Sequence, residues 1–256
     1  MTEVDICNGA LRYLGSSKIT GTTVAALAGT SKEERICAFW YPRVRDELLQ
    51  RHPWNFAIAR AALAPREITG DGGTAYTITA AEAAVGVTLS LLDGTETLWT
   101  LGTEYSLSGT DITTTSAVAS SQTIKVRLAA PLGGEWSRQH FLPSGAKRVL
   151  RVVANDYKYE YMVEGGRILS DVDEATCVYI DGVTDLTLFD DLFVMALEAR
   201  MAARMAYEVT GSASLVENLF GIAEEHEAKA RTMDAFEGNR GAFETASDSD
   251  WLNAAY

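Results

Sequence analysis

The side chains able to do chemistry are few in this chain and lie far apart. There are three histidines, His52, His140 and His226, and three cysteines, Cys7, Cys37 and Cys177. No set of them, with or without a carboxylate, falls at the short spacings that hold a metal ion. The cysteines are odd in number and lack CxxC spacing. Cys7 and Cys37 sit in helical patterns that suit small buried side chains, so they read as reduced core thiols in a cytosolic setting. His226 lies on the apolar stripe of a helix and reads as a packed residue, while His52 directly precedes Pro53. Asp190-Asp191 and Glu224-Glu225 are adjacent pairs. Neighbouring helical positions face different directions, so neither pair makes an acid/base couple by itself. The aspartates suit a helix N-terminus. GxSxG and P-loop patterns are absent, and Glu164-Gly165-Gly166 is a turn rather than a phosphate cradle. Catalytic, metal and cofactor residues are therefore assigned to none, and an enzyme is not expected.

The elements that position these residues begin with Thr2 and Asp5, spaced as a capping box. Val4, Cys7, Leu11 and Leu14 follow at helical spacing, and Gly15 supplies a stop, which predicts a helix over 3–14. Residues 16–30, rich in Ser, Thr and Gly, read as a loop. Ser31 and Glu34 open a second helix, 32–51, on Ile36, Trp40, Val44 and Leu48. Pro42 lies inside it, where a kink is expected, and Pro53 ends it. Trp54 and Phe56 come immediately afterwards and are expected to drop back between the helices as large apolar anchors.

From Ile68 to Thr123 the charged residues are six acids and no base: Asp71, Glu82, Asp93, Glu96, Glu104 and Asp111. Short strands (AYTIT, VTLSLL, TLWTL, YSLS, IKVRL) and the Asp93-Gly94 hairpin signal predict a small all-β module without helix. Tyr157, Tyr159, Tyr161 and Val163 alternate with charged residues up to the Gly165-Gly166 turn, and 176–180 gives one more strand. Residues 188–209 are apolar on two faces, one marked by Phe189, Leu192, Phe193, Ala196 and Ala203 and the other by Val194, Leu197, Met201 and Met205. Such a helix needs cover on two sides. A final amphipathic helix runs from Leu215 to Ala230. The expected class is α+β: mainly a bundle of about four helices with a β-hairpin or small sheet, plus the inserted all-β module. The expected domains are 1–66 with 134–235 as helical core, 67–133 as insert and 236–256 as an acidic C-terminal tail.

The formal net charge of -13 argues against gripping nucleic acid, since acidic protein releases no counterions from phosphates. An acidic wall would let DNA pass without sticking. No apolar run approaches the ~20 residues of a membrane helix. The N-terminal MTEVDICNGALRYLG lacks a basic n-region, so a signal peptide is not expected.

Taken in order, ICNGALRYLG (Ile6 to Gly15), RVRDELLQRHPWNFAIARAAL (Arg43 to Leu63), YMVEGGRILSD (Tyr161 to Asp171), VTDLTLFDDLFVMALEARMAARMAYEVTGS (Val183 to Ser212) and the terminal SDSDWL carry a resemblance. The chain resembles the head-to-tail adaptor (connector) family of tailed bacteriophages, the group that includes tail tubular protein A of short-tailed phages. It departs from the family pattern in the β module and in Pro42. The resemblance implies a structural virion protein made in the host cytoplasm and located at the head-tail interface. It implies a ring of about twelve copies beneath the portal protein, extending the DNA channel and docking the next tail component, a nozzle or stopper protein. DNA would pass without specific binding, and neither a cofactor nor a membrane is implied. A neighbouring subunit would supply the second cover of the two-faced helix, with Glu198, Arg200, Met201, Arg204 and Met205 as inter-subunit contacts. Trp251, Leu252 and Tyr256, at the end of a tail that is otherwise acidic, are the expected portal-binding residues. The alternatives from other classes are a small cell-wall-acting hydrolase and a monomeric binding module built on the β insert.

Overall fold

The computed structural model describes residues 1–27, 29 and 31–238. By contacts the chain separates into two compact units. One is Met1–Ala59 together with the chain from Ile180 on, and the other is Arg60–Tyr179. Residues 134–179, expected with the helical core, share the second unit with the β module.

The first unit is built on four helices. Helix α1 (Glu3–Tyr13) opens on a complete capping box: Asp5 N–H donates to the Thr2 hydroxyl at 3.1 Å, and Thr2 N–H to the Asp5 carboxylate at 2.8 Å. The loop that follows is tied down by side chains. Asn8 receives Ile19 N–H at 2.8 Å and donates to its carbonyl at 3.0 Å, and Val24 N–H donates to Glu3 at 2.7 Å. Helix α2 (Lys32–Arg51) is capped by the Ser31 hydroxyl and runs through Pro42 to its end at Arg51. Helix α4 (Asp191–Thr210) starts at the Asp190 cap, which accepts Phe193 N–H at 2.7 Å, and stops at Gly211 with φ +70. Helix α5 (Ala213–Gly238) packs along α4. Helix α4 also meets α1 and α2, so its apolar faces are covered within the chain.

The second unit is sheet. Strands β2 (Arg66–Thr69), β4 (Val87–Asp93), β5 (Thr95–Leu98) and β8 (Thr123–Leu128) form a sheet of order β2-β8-β4-β5. Strands β3 (Ala75–Thr77), β6 (Tyr105–Ser108) and β7 (Asp111–Thr114) form another, of order β3-β7-β6. Tyr76, Ile78, Leu89, Tyr105, Ile112, Val118, Ile124 and Val126 make one buried core between them. The alternation in β8 explains this: Ile124 and Val126 point into that core, while Lys125 and Arg127 lie on the opposite face, paired with Glu174 and Asp173. Two further sheets follow. One orders β1 (Ile58–Leu63), β14 (Ala175–Asp181), β10 (Ala146–Ala154) and β11 (Tyr157–Tyr159) as β1-β14-β10-β11. The other orders β9 (Arg138–Phe141), β12 (Met162–Glu164) and β13 (Arg167–Ser170) as β12-β13-β9. Gly165 and Gly166, at φ +56 and +76, make the β12–β13 turn, where two successive positive-φ residues match the twist of the strands.

The expected class is corrected here. The described residues hold fourteen strands in four sheets and five α-helices, so sheet is a principal component and not a hairpin appended to a bundle. The β module also contains a helix, α3 (Ala80–Val85), closed by a Thr79–Glu82 capping box and by Gly86 at φ +89.

Candidate functional site

Residues 45–57 form the joint of the helical unit. Pro53 takes the chain out of α2, and Trp54 folds back fully buried. Its indole N–H donates to the Leu48 carbonyl at 2.9 Å. That carbonyl belongs to the last turn of α2, where the helix has no N–H to offer, so Trp54 caps the helix it follows. Its ring meets Phe193 of α4 at 5.0 Å, and Phe56 meets Phe193 and Phe189 at 5.0 and 5.4 Å. Both aromatics are therefore core anchors, as their type and position suggest.

Around this aromatic core lies a seam of charge between α2, α4 and α5. Glu47 receives Arg200 at 3.0 Å and Arg204 at 2.9 Å, and Arg51 stands 3.9 Å away. Burial raises the Glu47 carboxyl, but the hydrogen bonds from Arg200 and Arg204 outweigh it and hold the group below its ordinary range. Arg51 also meets buried Glu227 at 3.0 Å, and Arg231 pairs with the same carboxylate. Two turns beyond Glu227 along α5, buried Asp234 receives Asn55 N–H at 2.8 Å and faces His52 Nε2 at 3.0 Å. Residues 51–55 thus fasten the closing turns of α5, using partners about 180 positions away in the sequence.

The residues expected at a subunit contact fall on this seam or behind it. Met201 and Met205 are fully buried inside the chain, so a neighbouring copy cannot reach them in this arrangement. Arg200 and Arg204 pair with Glu47 of the same chain. Glu198 lies against Gly9 of α1, where a Cβ would collide with its carboxylate; burial raises its pKa, with Arg12 opposing. The apolar side chains this unit leaves exposed are different ones, among them Phe39, Leu188, Met195, Tyr207 and Phe236. Trp251, Leu252 and Tyr256 lie outside the described residues.

The sheet unit contains a cleft of about 270 Å³, whose walls include Leu63, Pro65, Arg66, Arg138, His140 and Phe141. Its two carboxylates are already committed. Glu82, buried, is held by Arg66 through two hydrogen bonds of 2.8 and 3.1 Å. Asp173 receives Arg127 at 2.6 to 2.8 Å and Arg138 at 2.9 Å. Burial raises both acids, yet their hydrogen bonds from arginine win and hold each below the usual carboxylate range. Each is ionised at neutral pH and saturated by its partners, the opposite of a poised general acid. His140 touches the Val172 carbonyl at 3.0 Å, and burial lowers its pKa, so the ring is neutral.

The remaining reactive groups are shielded. Cys7 and Cys37 are buried, and the Cys7 thiol is pushed up by its hydrogen bond with Cys37 and by burial. Burial lifts Cys177 to about 11. A thiol so raised carries little thiolate, which is the nucleophilic form. Asp190 is a helix cap, and Glu225 pairs with Lys229 on the outer face of α5. Among the described residues no group of three or more His, Cys, Asp or Glu side chains could hold a metal ion, and no helix is long and apolar enough to cross a membrane.

Sequence reasoning missed two features. The Thr79–Glu82 capping box was readable as a helix start inside the module. The Glu47 and Asp234 partnerships join residues far apart in sequence and leave no local signal. Compared with protein-family models and with curated proteins, the sequence matches none.

Proposed function

We propose that the chain is a head-to-tail adaptor of a tailed bacteriophage, a structural protein that docks beneath the portal, extends the DNA channel and receives the next tail component. The support comes from the RDELLQRHPWNF stretch, the most specific part of the resemblance. In the helical unit this stretch grips the end of α5 through Arg51–Glu227, His52–Asp234 and Asn55–Asp234. Such a joint gives a fixed point of departure to the chain beyond Gly238, which carries Trp251, Leu252 and Tyr256. In the adaptor reading these three residues engage the portal, and copies of the chain assemble side by side as a ring. The acidic balance of -13 suits a wall that DNA slides past.

The test is binding of the full chain, and of a chain lacking residues 246–256, to assembled portal protein by co-sedimentation. The full chain is expected to sediment with the portal and the shortened chain to stay behind with unchanged helicity. A full chain that never sediments with portal would overturn the reading.

A further inference from the structure

We propose that the β10–β11 hairpin of the sheet unit is a contact site for the phosphate backbone of duplex DNA. This deepens the adaptor reading and rests on it for the kind of nucleic acid met. The hairpin turns on Asn155 and Asp156, at φ +48 and +65, and pairs Ala154 with Tyr157, Val153 with Lys158 and Val152 with Tyr159. A two-residue turn with both φ positive closes a β-ribbon tightly. Every residue from Asn155 to Glu160 is exposed, as are Arg148 and Arg151. Side chains alternate along each strand. Arg151 therefore shares a face with Lys158, and Arg148 shares the opposite face with Tyr157 and Tyr159.

These three cations are uncommitted. Elsewhere in the sheet unit Arg66, Lys125, Arg127 and Arg138 each hold a carboxylate at 2.6 to 3.0 Å. Among the described residues Arg148, Arg151 and Lys158 have no carboxylate within ion-pairing distance, although Asp156 and Glu160 lie near them in the sequence. Tyr157 and Tyr159 are 72% and 38% exposed, and their hydroxyls meet no partner among the described residues. Arg, Lys and Tyr side chains meet phosphate oxygens and seat a protein on the duplex without reading its sequence. A two-stranded ribbon fits the major groove, ~12 Å wide, where cations on both of its faces reach phosphates on both walls. An acidic peptide would meet one face at a time. The balance of -13 is spread over the whole chain. At ~0.1 M salt, exposed charges more than about 10 Å away are largely screened, so the hairpin's own charges decide at the contact. Three charges make a weak grip, in keeping with DNA that moves through.

The experiment is a fluorescence-anisotropy titration of a labelled DNA duplex with the full chain, from about 50 to about 200 mM salt, alongside a labelled oligoglutamate peptide. The wild type is expected to bind duplexes of unrelated sequence alike. The log–log salt slope is expected at about -2.7, three phosphates at about -0.9 each. R148Q, R151Q and K158Q are each expected to weaken binding and to make the slope shallower by about one. Tyr157→Phe is expected to weaken binding about threefold, the loss of one neutral hydrogen bond, with the slope unchanged. K229Q, on the outer face of α5, is expected to change neither. Thermal melting checks that each variant folds; should one charge variant not fold, the other two and the wild-type titration decide. A wild type that ignores the duplex at about 50 mM salt, a slope unaltered in the charge variants, an equal loss in K229Q, or tighter binding of the peptide would each overturn the proposal. Co-sedimentation with portal is read separately. A chain that meets portal but ignores DNA overturns this proposal alone, and one that binds DNA but never meets portal overturns the adaptor reading alone.

Discussion

Replacing Trp54 separates two roles of one side chain. Trp54→Phe keeps a ring in the aromatic cluster but removes the indole N–H that the Leu48 carbonyl accepts at 2.9 Å. It leaves a buried carbonyl in the last turn of α2 without a partner, at a cost of about 1–3 kcal/mol. Trp54→Ala removes the ring as well. The ring is fully buried and packs edge-on against Phe193 at 5.0 Å, so the emptied volume adds about 3–5 kcal/mol. A loss of about 4–8 kcal/mol is comparable with the whole stability of an ordinary domain. The assay is urea unfolding followed by far-UV circular dichroism, which reports the helical unit most strongly. The phenylalanine variant is expected to unfold at lower urea with an unchanged slope, and the alanine variant to be largely unfolded without denaturant. If Trp54→Ala cost less than about 1 kcal/mol, the reasoning that makes Trp54 cap and core together would be refuted.

In the sheet unit, Asp173, Glu82 and Glu96 all titrate below their ordinary range in the folded chain. Their contribution is present above the unfolded carboxylate values, near 4, and is lost as pH falls through the lower folded values. Melting temperature should therefore hold from neutral pH to about 5 and drop below about 4, and Asp173→Asn should lower the plateau and flatten the acid limb. An acid limb identical in the wild type and the variant would contradict this. All three cysteines should resist iodoacetamide in the native state at mildly alkaline pH and react fully in denaturant, as read by mass spectrometry; rapid native labelling of Cys177 would contradict its burial. Thr79→Ala removes half of the capping box of α3 and should cost about 1 kcal/mol in urea unfolding, whereas an unchanged midpoint would show that the cap adds nothing.

The parts of the fold legible in the sequence are those with local chemistry. Thr2 with Asp5, Ser31, Pro53 and Gly165-Gly166 each act within a few residues, and each sits where its type requires. The fold class was not legible because its strands are short and poorly patterned. Strand β10, AKRVLRVVA, buries Val149 and Val152 most deeply, three positions apart, so it lacks the period of two that marks a strand facing one core. Strand β1, IARAAL, carries three alanines and little strand propensity. Strands β11 and β12 expose every residue, and the alternating run from Tyr157 to Val163 is divided between two sheets.

The two-faced pattern of α4 was read correctly as a demand for cover. The sequence could not say that α1, α2 and α5 of the same chain supply it. For that reason Met201 and Met205 fell to the interior, and the charged seam beside them, assembled from residues 47, 51, 200, 204, 227 and 231, stayed invisible until the chain was folded.

In the proposed adaptor function, many copies of this chain dock on a portal ring. Mass photometry of assembled portal protein titrated with the chain tests it directly. The expected result is a portal particle that gains mass to a plateau of about twelve chains, with the increment lost when residues 246–256 are removed. A portal particle whose mass never changes, even at saturating chain, would contradict the account.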